Sequence, residues 1–399
     1  MHAAAAVVLW CALGLIAYAY LFYPMLLWLA YAGVQLARDW RYLGRRRDRR
    51  ASAPPQWPGL SLVIAAHNEA RFLPDKLANL RQLDYPAGQL QVIFVSDGSE
   101  DETAEILRQA EGIELIVLPQ RGGKAQALNA GVQRARHPLL VFTDAATLLA
   151  PDALRCLARH FSDVRVGAVC GALEFRSTEE SQRTEGRFWR YESLLRLMEA
   201  RLGISLTASG ALYALRRECW RPLGARTLLD DFLIPMRACA AGFAIRYDPE
   251  AQAVDFAAAS VEGEFLRRVR LAAGSFRALA ALWRMPMPAR TRVALVSHKL
   301  LRWIAPFCLP LLLAANAILA LAPGGAAGYR VLLAAQMAFY ALAFAGMRRR
   351  PPRPAPRLAR AAYYVLAMNA AFVVGLVQVL AGRDQGVWRR PEEATQGTL

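Results

Sequence analysis

The sequence predicts an α/β domain with membrane-spanning helices on both sides, and three observations support this. The chain has 399 residues, is 55% hydrophobic, and carries its most apolar stretches at its two ends. Between them, short apolar runs alternate with helical stretches, which is the pattern of a parallel sheet covered by helices on both faces. Three of these runs end in small and acidic residues, at the edge where open α/β sheets bind ligands. We therefore expect a pocket rimmed by carboxylates.

The net charge of +17 points to a membrane rather than to a nucleic-acid partner. Lysine occurs only three times, and arginines cluster at 45–50 and 348–350, beside apolar segments, as cytoplasmic flanks do. The six cysteines are scattered and form no Cys-x-x-Cys pair. This argues against a zinc site and a disulfide framework, and it fits a reducing compartment for the central domain.

The N-terminal region, 1–50, is expected to be one long, tilted membrane helix with a basic flank. Residues 3–36 carry no charge and contain Pro24. A cleaved signal peptide is the alternative, but the apolar run is too long and no basic segment precedes it. The arginines at 45–50 then predict that the following domain lies in the cytoplasm.

The α/β domain is expected at 51–261, after a proline-rich linker. Its apolar runs and the stretches between them predict elements in alternation. Strands are expected at 60–66, 90–96, 113–118 and 139–143, and helices near 70–82, 101–111, 123–136 and 232–241.

The C-terminal part is expected to return to the membrane. Residues 262–295 mix arginine with Leu, Phe and Trp, which predicts amphipathic helices at the membrane surface or packed on the globular domain. Apolar segments near 300–322, 329–346 and 361–381 predict spans within 296–382, with an uncharged outer turn at 323–325 and a basic inner loop at 347–360. Four spans would leave the arginine-containing tail, 383–399, outside. Because an arginine-containing tail is expected inside, the alternative is that the first or the third of these segments is interfacial or re-entrant and does not span the membrane.

Seven motifs lie in this central region and just after it. They are AAHNE at 65–69, SDGSED at 96–101, RGGKAQALNAG at 121–131, TDAA at 143–146, TASGALYALR at 207–216, LLDDF at 228–232 and RRVRL at 267–271. In this order, together with the flanking apolar segments, they resemble the motifs of membrane-bound family 2 glycosyltransferases. That group has a GT-A nucleotide-sugar domain and includes bacterial polysaccharide synthases of the cellulose, hyaluronan and poly-N-acetylglucosamine type.

The resemblance implies a site for a UDP-sugar donor. Ala66 and Glu69 would lie against the nucleotide base, and Asp97 would accept a hydrogen bond from the base imide. Lys124 would contribute charge to the diphosphate, beside two glycines and a helix N-terminus that suit an anion. From the residues alone, an aspartate at the end of any one of these strands, such as Asp97, is equally typical of a helix cap or turn. The segment around Lys124 is also typical of a capped surface helix.

The resemblance also implies a divalent cation, Mg²⁺ or Mn²⁺, on the donor diphosphate at Asp144. Members of the family carry a second oxygen side chain two residues later, where this chain has Ala146. Because such ions draw many ligands from phosphate and water, we expect the cation to be weakly held rather than absent.

For the chemistry, the match implies that Asp231 is the general base and that the adjacent carboxylate of Asp230 raises its pKa by repulsion. An N-cap pair at the start of a helix is the alternative interpretation. Ser209 and Gly210 would face the acceptor sugar.

Arg268 and Arg270 match basic positions that could clamp the diphosphate. Arg267 and Leu271 stand where processive members carry Gln and Trp. The missing Trp removes a stacking platform for the acceptor sugar and leaves processivity open.

The sequence thus predicts an inverting glycosyltransferase of the bacterial inner membrane that transfers a sugar from a UDP-sugar to a growing polysaccharide or glycan. Two alternatives remain at this point. One is a single transfer to a lipid or polyprenyl-phosphate acceptor. The other is a catalytically silent nucleotide-binding membrane protein.

Overall fold

The computed structural model describes residues 2–45, 56–176, 182–206, 208–256, 261–347 and 356–382. Most of the two arginine clusters, the tail at 383–399 and Thr207 of the acceptor motif lie outside these ranges. The expectations that rest on them are therefore not addressed by the fold.

The central domain is built on one sheet of eight strands. The four strands expected from the sequence are present, each within one residue of its expected bounds. In chain order the strands are β1 (Leu60–Ala66), β2 (Leu90–Asp97), β3 (Glu114–Leu118), β4 (Leu139–Asp144), β5 (Leu148–Leu149), β6 (Val166–Arg176), β7 (Tyr213–Arg216) and β8 (Ala244–Phe256).

The sheet order is β3-β2-β1-β4-β7-β6-β8-β5, and only part of it is parallel. Strands β3, β2, β1 and β4 run parallel, whereas β7 is antiparallel to both β4 and β6. The expectation of a wholly parallel sheet is therefore wrong for the second half. Apolar runs report that both faces of a strand are buried, and they carry no information on its direction.

Thirteen helices lie within the described ranges. The chain begins with α1 (His2–Ala17), a π-helical turn at Tyr18–Phe22 and α2 (Tyr23–Arg45). The domain contains α3 (Leu73–Arg81), α4 (Thr103–Arg108), α5 (Lys124–Arg134), α6 (Ala153–Ala158), α7 (Gln182–Leu202) and α8 (Asp230–Ala240). The rest are α9 (Val261–Arg284), α10 (Ala289–Ala294), α11 (Leu301–Ala320), α12 (Ala327–Met347) and α13 (Arg357–Leu380).

Both faces of the sheet are covered, as expected. Side chains alternate across a strand, so Leu62 of β1 packs with Leu73 of α3 on one face, while Val63 packs with Leu128 of α5 on the other. Gly131 allows α5 to approach closely, because a Cβ there would lie 2.4 Å from a methyl carbon of Val63. This packing fixes the N-terminus of α5 beside the ends of the strands.

In the described part of the chain, four helices are long and apolar enough to cross a membrane, which matches the four expected segments. They are His2–Arg41, Ala289–Ala320, Ala327–Met347 and Arg357–Leu380. The second begins earlier than expected, because α10, a π-helical turn at Leu295–Leu300 and α11 form one continuous helix.

Helix α9 is the main amphipathic element of 262–295, and it packs on two partners. A Cβ at Gly274 would lie 2.9 Å from Leu229, just before α8, and one at Gly375 of α13 would lie 2.7 Å from Ala272. The helix therefore lies between the α/β domain and the last apolar helix.

A buried polar network joins the α/β domain to the apolar helices at both ends of the chain. His298 is fully buried, and its two ring nitrogens lie 2.6 Å from Glu199 and 3.0 Å from Glu192, both on α7. The Tyr23 hydroxyl also donates to Glu199, at 2.9 Å, and Arg302 pairs with Glu192 at 3.0 Å. Removing one partner from this network would leave a buried charge unpaired, which is strongly destabilising. The network therefore holds α7 in one position.

Candidate active site

Three parallel strands end at one cleft. In the register of the sheet, Ala65 lies opposite Asp144, and Ala66 lies opposite Ser96, the residue before Asp97. The cleft opens to solvent. It is lined by Ala65, Ala66, His67, Glu69, Asp97, Lys124, Asp144 and Ala145. Five residues singled out from the sequence for donor binding therefore meet here: Ala66, Glu69, Asp97, Lys124 and Asp144.

Asp97 holds the glycine-rich turn before α5. Its two carboxylate oxygens each accept a backbone N–H at 2.7 Å, one from Gly122 and one from Gly123. Gly123 has a φ of +85°, which a residue with a side chain rarely adopts. From the sequence, this glycine-rich turn was expected to suit a diphosphate. In the structure, its two amides fix the turn and with it the position of Lys124. The contact of Asp97 with a base remains a prediction.

Lys124 connects the end of β4 to the start of α8. Its Nζ lies 2.7 Å from Asp144 Oδ1 and 3.7 Å from Asp230 Oδ2. Burial disfavours the charged ammonium, but the carboxylates of Asp144 and Asp230 outweigh it and raise the pKa of Lys124 above its ordinary value. The lysine is therefore charged and points into the cleft between acidic groups.

Asp230 and Asp231 occupy the first turn of α8, and the N-cap residue is Leu229, so neither carboxylate is the N-cap that the alternative interpretation expected. Asp231 accepts the N–H of Gly210 at 3.2 Å with its carboxylate and the N–H of Ala208 at 2.9 Å with its carbonyl. A Cβ at Gly210 would lie 3.6 Å from both Asp231 Oδ2 and Lys124 Nζ. The segment expected to face the acceptor, including the buried Ser209, therefore lies against the expected base.

The pKa of Asp231 is raised to about 6, first by burial and then by the charge of Asp230. Lys124 and Arg196 act in the opposite direction. Repulsion from Asp230 was the cause expected from the sequence, and burial is the larger one. Arg196, on α7, was missed by the sequence analysis because it belongs to no motif.

The arginines of α9 differ in their surroundings. Arg267 and Arg268 both pair with the buried Glu264, at 2.7 Å and 2.8 Å. Burial lowers the pKa of Arg270 to about 10, while Asp144 acts to raise it, so this guanidinium lies within electrostatic range of the cleft. Leu271 packs in an apolar cluster with Leu229 and other side chains. The diphosphate clamp remains a prediction for both Arg268 and Arg270.

The residues present fit a divalent cation only if the donor supplies most of its ligands. Within the described ranges, no group of three or more His, Cys, Asp or Glu side chains could hold a metal ion. Asp144 faces the cleft with one oxygen paired to Lys124, and Ala146 has no oxygen to offer. One carboxylate beside a diphosphate and water is compatible with Mg²⁺ or Mn²⁺.

The parallel strands, the cleft at their ends and the acidic pair opposite it define an α/β domain of the GT-A type, the class of nucleotide-sugar transferases. Residues 61–221 match the model of the Glycosyl transferase family 2. This central region therefore carries the glycosyltransferase domain expected from its motifs.

Two curated relatives are similar to this chain over about half of its length. An N-acetylglucosaminyltransferase of Mesorhizobium japonicum is 31% identical over 242 residues, covering 55% of this chain and 57% of that protein. A poly-beta-1,6-N-acetyl-D-glucosamine synthase of Staphylococcus epidermidis is 26% identical over 234 residues, covering 56% of each. The chain thus spans little more than half the length of these relatives.

A solved structure extends the likeness of the fold to most of the chain. It is the mannosyltransferase PcManGT of Pyrobaculum calidifontis in complex with GDP-Man and Mn²⁺, with a TM-score of 0.67 and 24% identity. The match covers 90% of this chain and 99% of that one, so the shared fold includes the apolar helices beside the GT-A domain.

The raised pKa of Asp231 predicts an acid limb in the pH profile. A general base works only when deprotonated, so kcat/KM should fall below about pH 6. Asp230→Asn removes the neighbouring charge that raises this pKa, so the limb should move to lower pH. The measurement is kcat/KM between pH 4.5 and 8 for both proteins, and a limb that stays in place would contradict the coupling.

Proposed function

We propose that the chain is an inverting glycosyltransferase that moves a sugar from a UDP-sugar to a growing glycan at the membrane. The observation that carries this proposal is the meeting of Lys124, Asp231 and Gly210 at one end of the cleft. The names of the two curated relatives make UDP-N-acetylglucosamine the first donor to test.

Donor binding would use the cleft at the ends of β1, β2 and β4. The base would lie near Ala66, Glu69 and Asp97, and the diphosphate would reach Lys124, with Arg268 and Arg270 on the side of α9. A lysine ammonium offers a point charge that interacts strongly with phosphate in a water-poor site. A divalent cation bound there would neutralise charge that develops on the leaving diphosphate, and Asp144 is the residue that would hold it.

Transfer would then take place between the cleft and the acceptor segment. Asp231 would accept the proton of an acceptor hydroxyl held near Ser209 and Gly210, while that hydroxyl attacks the anomeric carbon. UDP leaves on the opposite side, so an α-linked donor gives a β-glycoside. Asp230 would keep the pKa of its neighbour near the pH at which a base is effective.

A single transfer to a lipid or polyprenyl-phosphate acceptor is the second candidate. The observation that favours it is Leu271, which packs in the apolar cluster of Leu229, Phe232 and Trp303 and offers no platform for a sugar. Separating the products by length distinguishes the two, because a growing glycan gives a ladder and a single transfer gives one species.

Asp231→Asn should lower kcat by about 10²- to 10⁴-fold, the contribution of a positioned base. The change keeps the shape of the side chain and removes its basicity, so UDP affinity should be retained. Release of UDP and calorimetric UDP affinity would be measured for Asp231→Asn and for the matched control Asp230→Asn, which should be milder.

Retention of more than about a tenth of the turnover by Asp231→Asn would contradict the assignment of the base. So would a larger loss in Asp230→Asn. If the wild-type protein binds UDP but releases none from a panel of UDP-sugars, it is a nucleotide-binding protein and not a transferase.

Activity should require a divalent cation at high concentration, because Asp144 is the one carboxylate that we assign to the cation and Ala146 offers no second oxygen ligand. Ala146→Asp should lower the Mn²⁺ concentration that gives half-maximal activity, since it restores a second oxygen ligand. The measurement is UDP release as a function of Mn²⁺. Full wild-type activity in excess EDTA would contradict a metal role and leave Lys124, Arg268 and Arg270 as the charges on the diphosphate.

The catalytic domain is proposed to lie on the cytoplasmic side of the bacterial inner membrane, where UDP-sugars are made. In a Cys11→Ser background, Gln109→Cys on the exposed end of α4 should resist an impermeant thiol reagent in intact cells. Ala326→Cys, in the turn between α11 and α12, is the control and should be labelled. Labelling at 109 and protection at 326 would reverse the orientation.

A further inference from the structure

Lys76 is a fully buried lysine that no step of the proposed mechanism uses. It lies on α3, has no exposed surface, and is one of three lysines in a chain with 49 Lys and Arg residues. Burial lowers the pKa of Lys76 to about 7, while Asp144 and Asp255 act to raise it. A buried ammonium costs free energy that an apolar side chain of similar size would not, so its contacts must offset that cost.

Those contacts are made with the two residues that flank the Asp144 turn. Lys76 Nζ donates to the carbonyl oxygen of Thr147 at 2.5 Å and lies 3.5 Å from Thr143 Oγ1. Within the turn, the N–H of Thr147 donates to the carbonyl of Asp144 at 3.2 Å. The Lys76 side chain thus holds both ends of the segment that presents Asp144 to the cleft.

Lys76 is also linked to the segment of Ser209 and Gly210, which is proposed to face the acceptor. The Thr143 hydroxyl donates its proton to the carbonyl of Ala211 at 2.7 Å, which leaves its oxygen free to accept from Lys76. Ala211 follows Gly210, whose N–H donates to Asp231. The chain of contacts therefore runs from Lys76 through Thr143 to the backbone beside the expected base.

We propose that Lys76 is a positioning residue that holds the Asp144 turn in the geometry needed by the donor diphosphate. This rests on the proposed function and deepens it. The lysine does not touch substrate: it acts through Asp144, and its effect should vanish when the Asp144 carboxylate is removed.

A double-mutant cycle on the full-length protein in detergent tests this action through Asp144. Calorimetric UDP affinity, in the presence of Mn²⁺, would be measured for Lys76→Met, Asp144→Asn and the double variant. Lys76→Met should weaken UDP binding by about tenfold, as loss of a supporting residue around a ligand site commonly does. In the Asp144→Asn background the same change should cost less than about twofold.

Asn79→Ala provides a matched control on the same helix. The Asn79 side chain exchanges two hydrogen bonds of 2.8 Å with the backbone of Leu149, in the same segment but beyond the turn. This variant should lose stability without losing UDP affinity. If Lys76→Met and Asn79→Ala lower the melting temperature alike and neither affects UDP affinity, Lys76 only packs the core and the proposal is wrong. Additive losses in the cycle would also overturn it.

Two further measurements test the proposal if Lys76→Met does not fold or if the wild type does not bind UDP. Should Lys76→Met fail to fold, Thr143→Val removes the same contact from the other side and should weaken UDP binding, again only when Asp144 is present. Should the wild type not bind UDP, the proposed function fails, and amide exchange without nucleotide still judges Lys76. The Thr147 amide should exchange faster in Lys76→Met but not in Asn79→Ala, and an unchanged Thr147 amide would overturn the proposal.

Discussion

The site depends on the ion pairing of one ammonium with carboxylates that would otherwise repel. Lys124 lies between Asp144 at the end of β4 and Asp230 at the start of α8. Without its charge, three acidic side chains, including Asp231, would share a partly buried space at high electrostatic cost. The lysine therefore holds together the end of β4 and the start of α8, and its position is itself set by Asp97 through the glycine-rich turn.

Two further basic side chains support the acidic groups around Lys124. Lys76 contacts both flanks of the Asp144 turn from α3, and Arg196 of α7 acts to lower the pKa of Asp231, against the effect of Asp230. Asp144 and Asp231 are thus each supported from a helix outside the motifs. This arrangement balances the acidic groups by charge rather than by exposure to water, which suits a reaction in which a phosphate leaving group must be stabilised.

The apolar helices contribute through α7. Its buried Glu192 and Glu199 are held by His298 and Arg302 of the continuous helix formed by α10 and α11, and by Tyr23 of the N-terminal helix. The chain leaves α7 and enters the segment that ends at Ser209 and Gly210. The apolar helices are therefore tied by buried polar contacts to the helix that precedes this segment.

The sequence by itself determined the class of fold and five of the residues that line the cleft. Apolar runs that end in Ala66, Asp97 and Asp144 predict strands whose ends meet, because parallel strands share one carboxyl edge. Only the tertiary structure decided the rest. The direction of β6 and β7 is invisible to periodicity, which reports burial alone. Lys76 and Arg196 reach the site from helices without motifs, because electrostatic partners of a buried group are chosen by distance in space rather than along the chain.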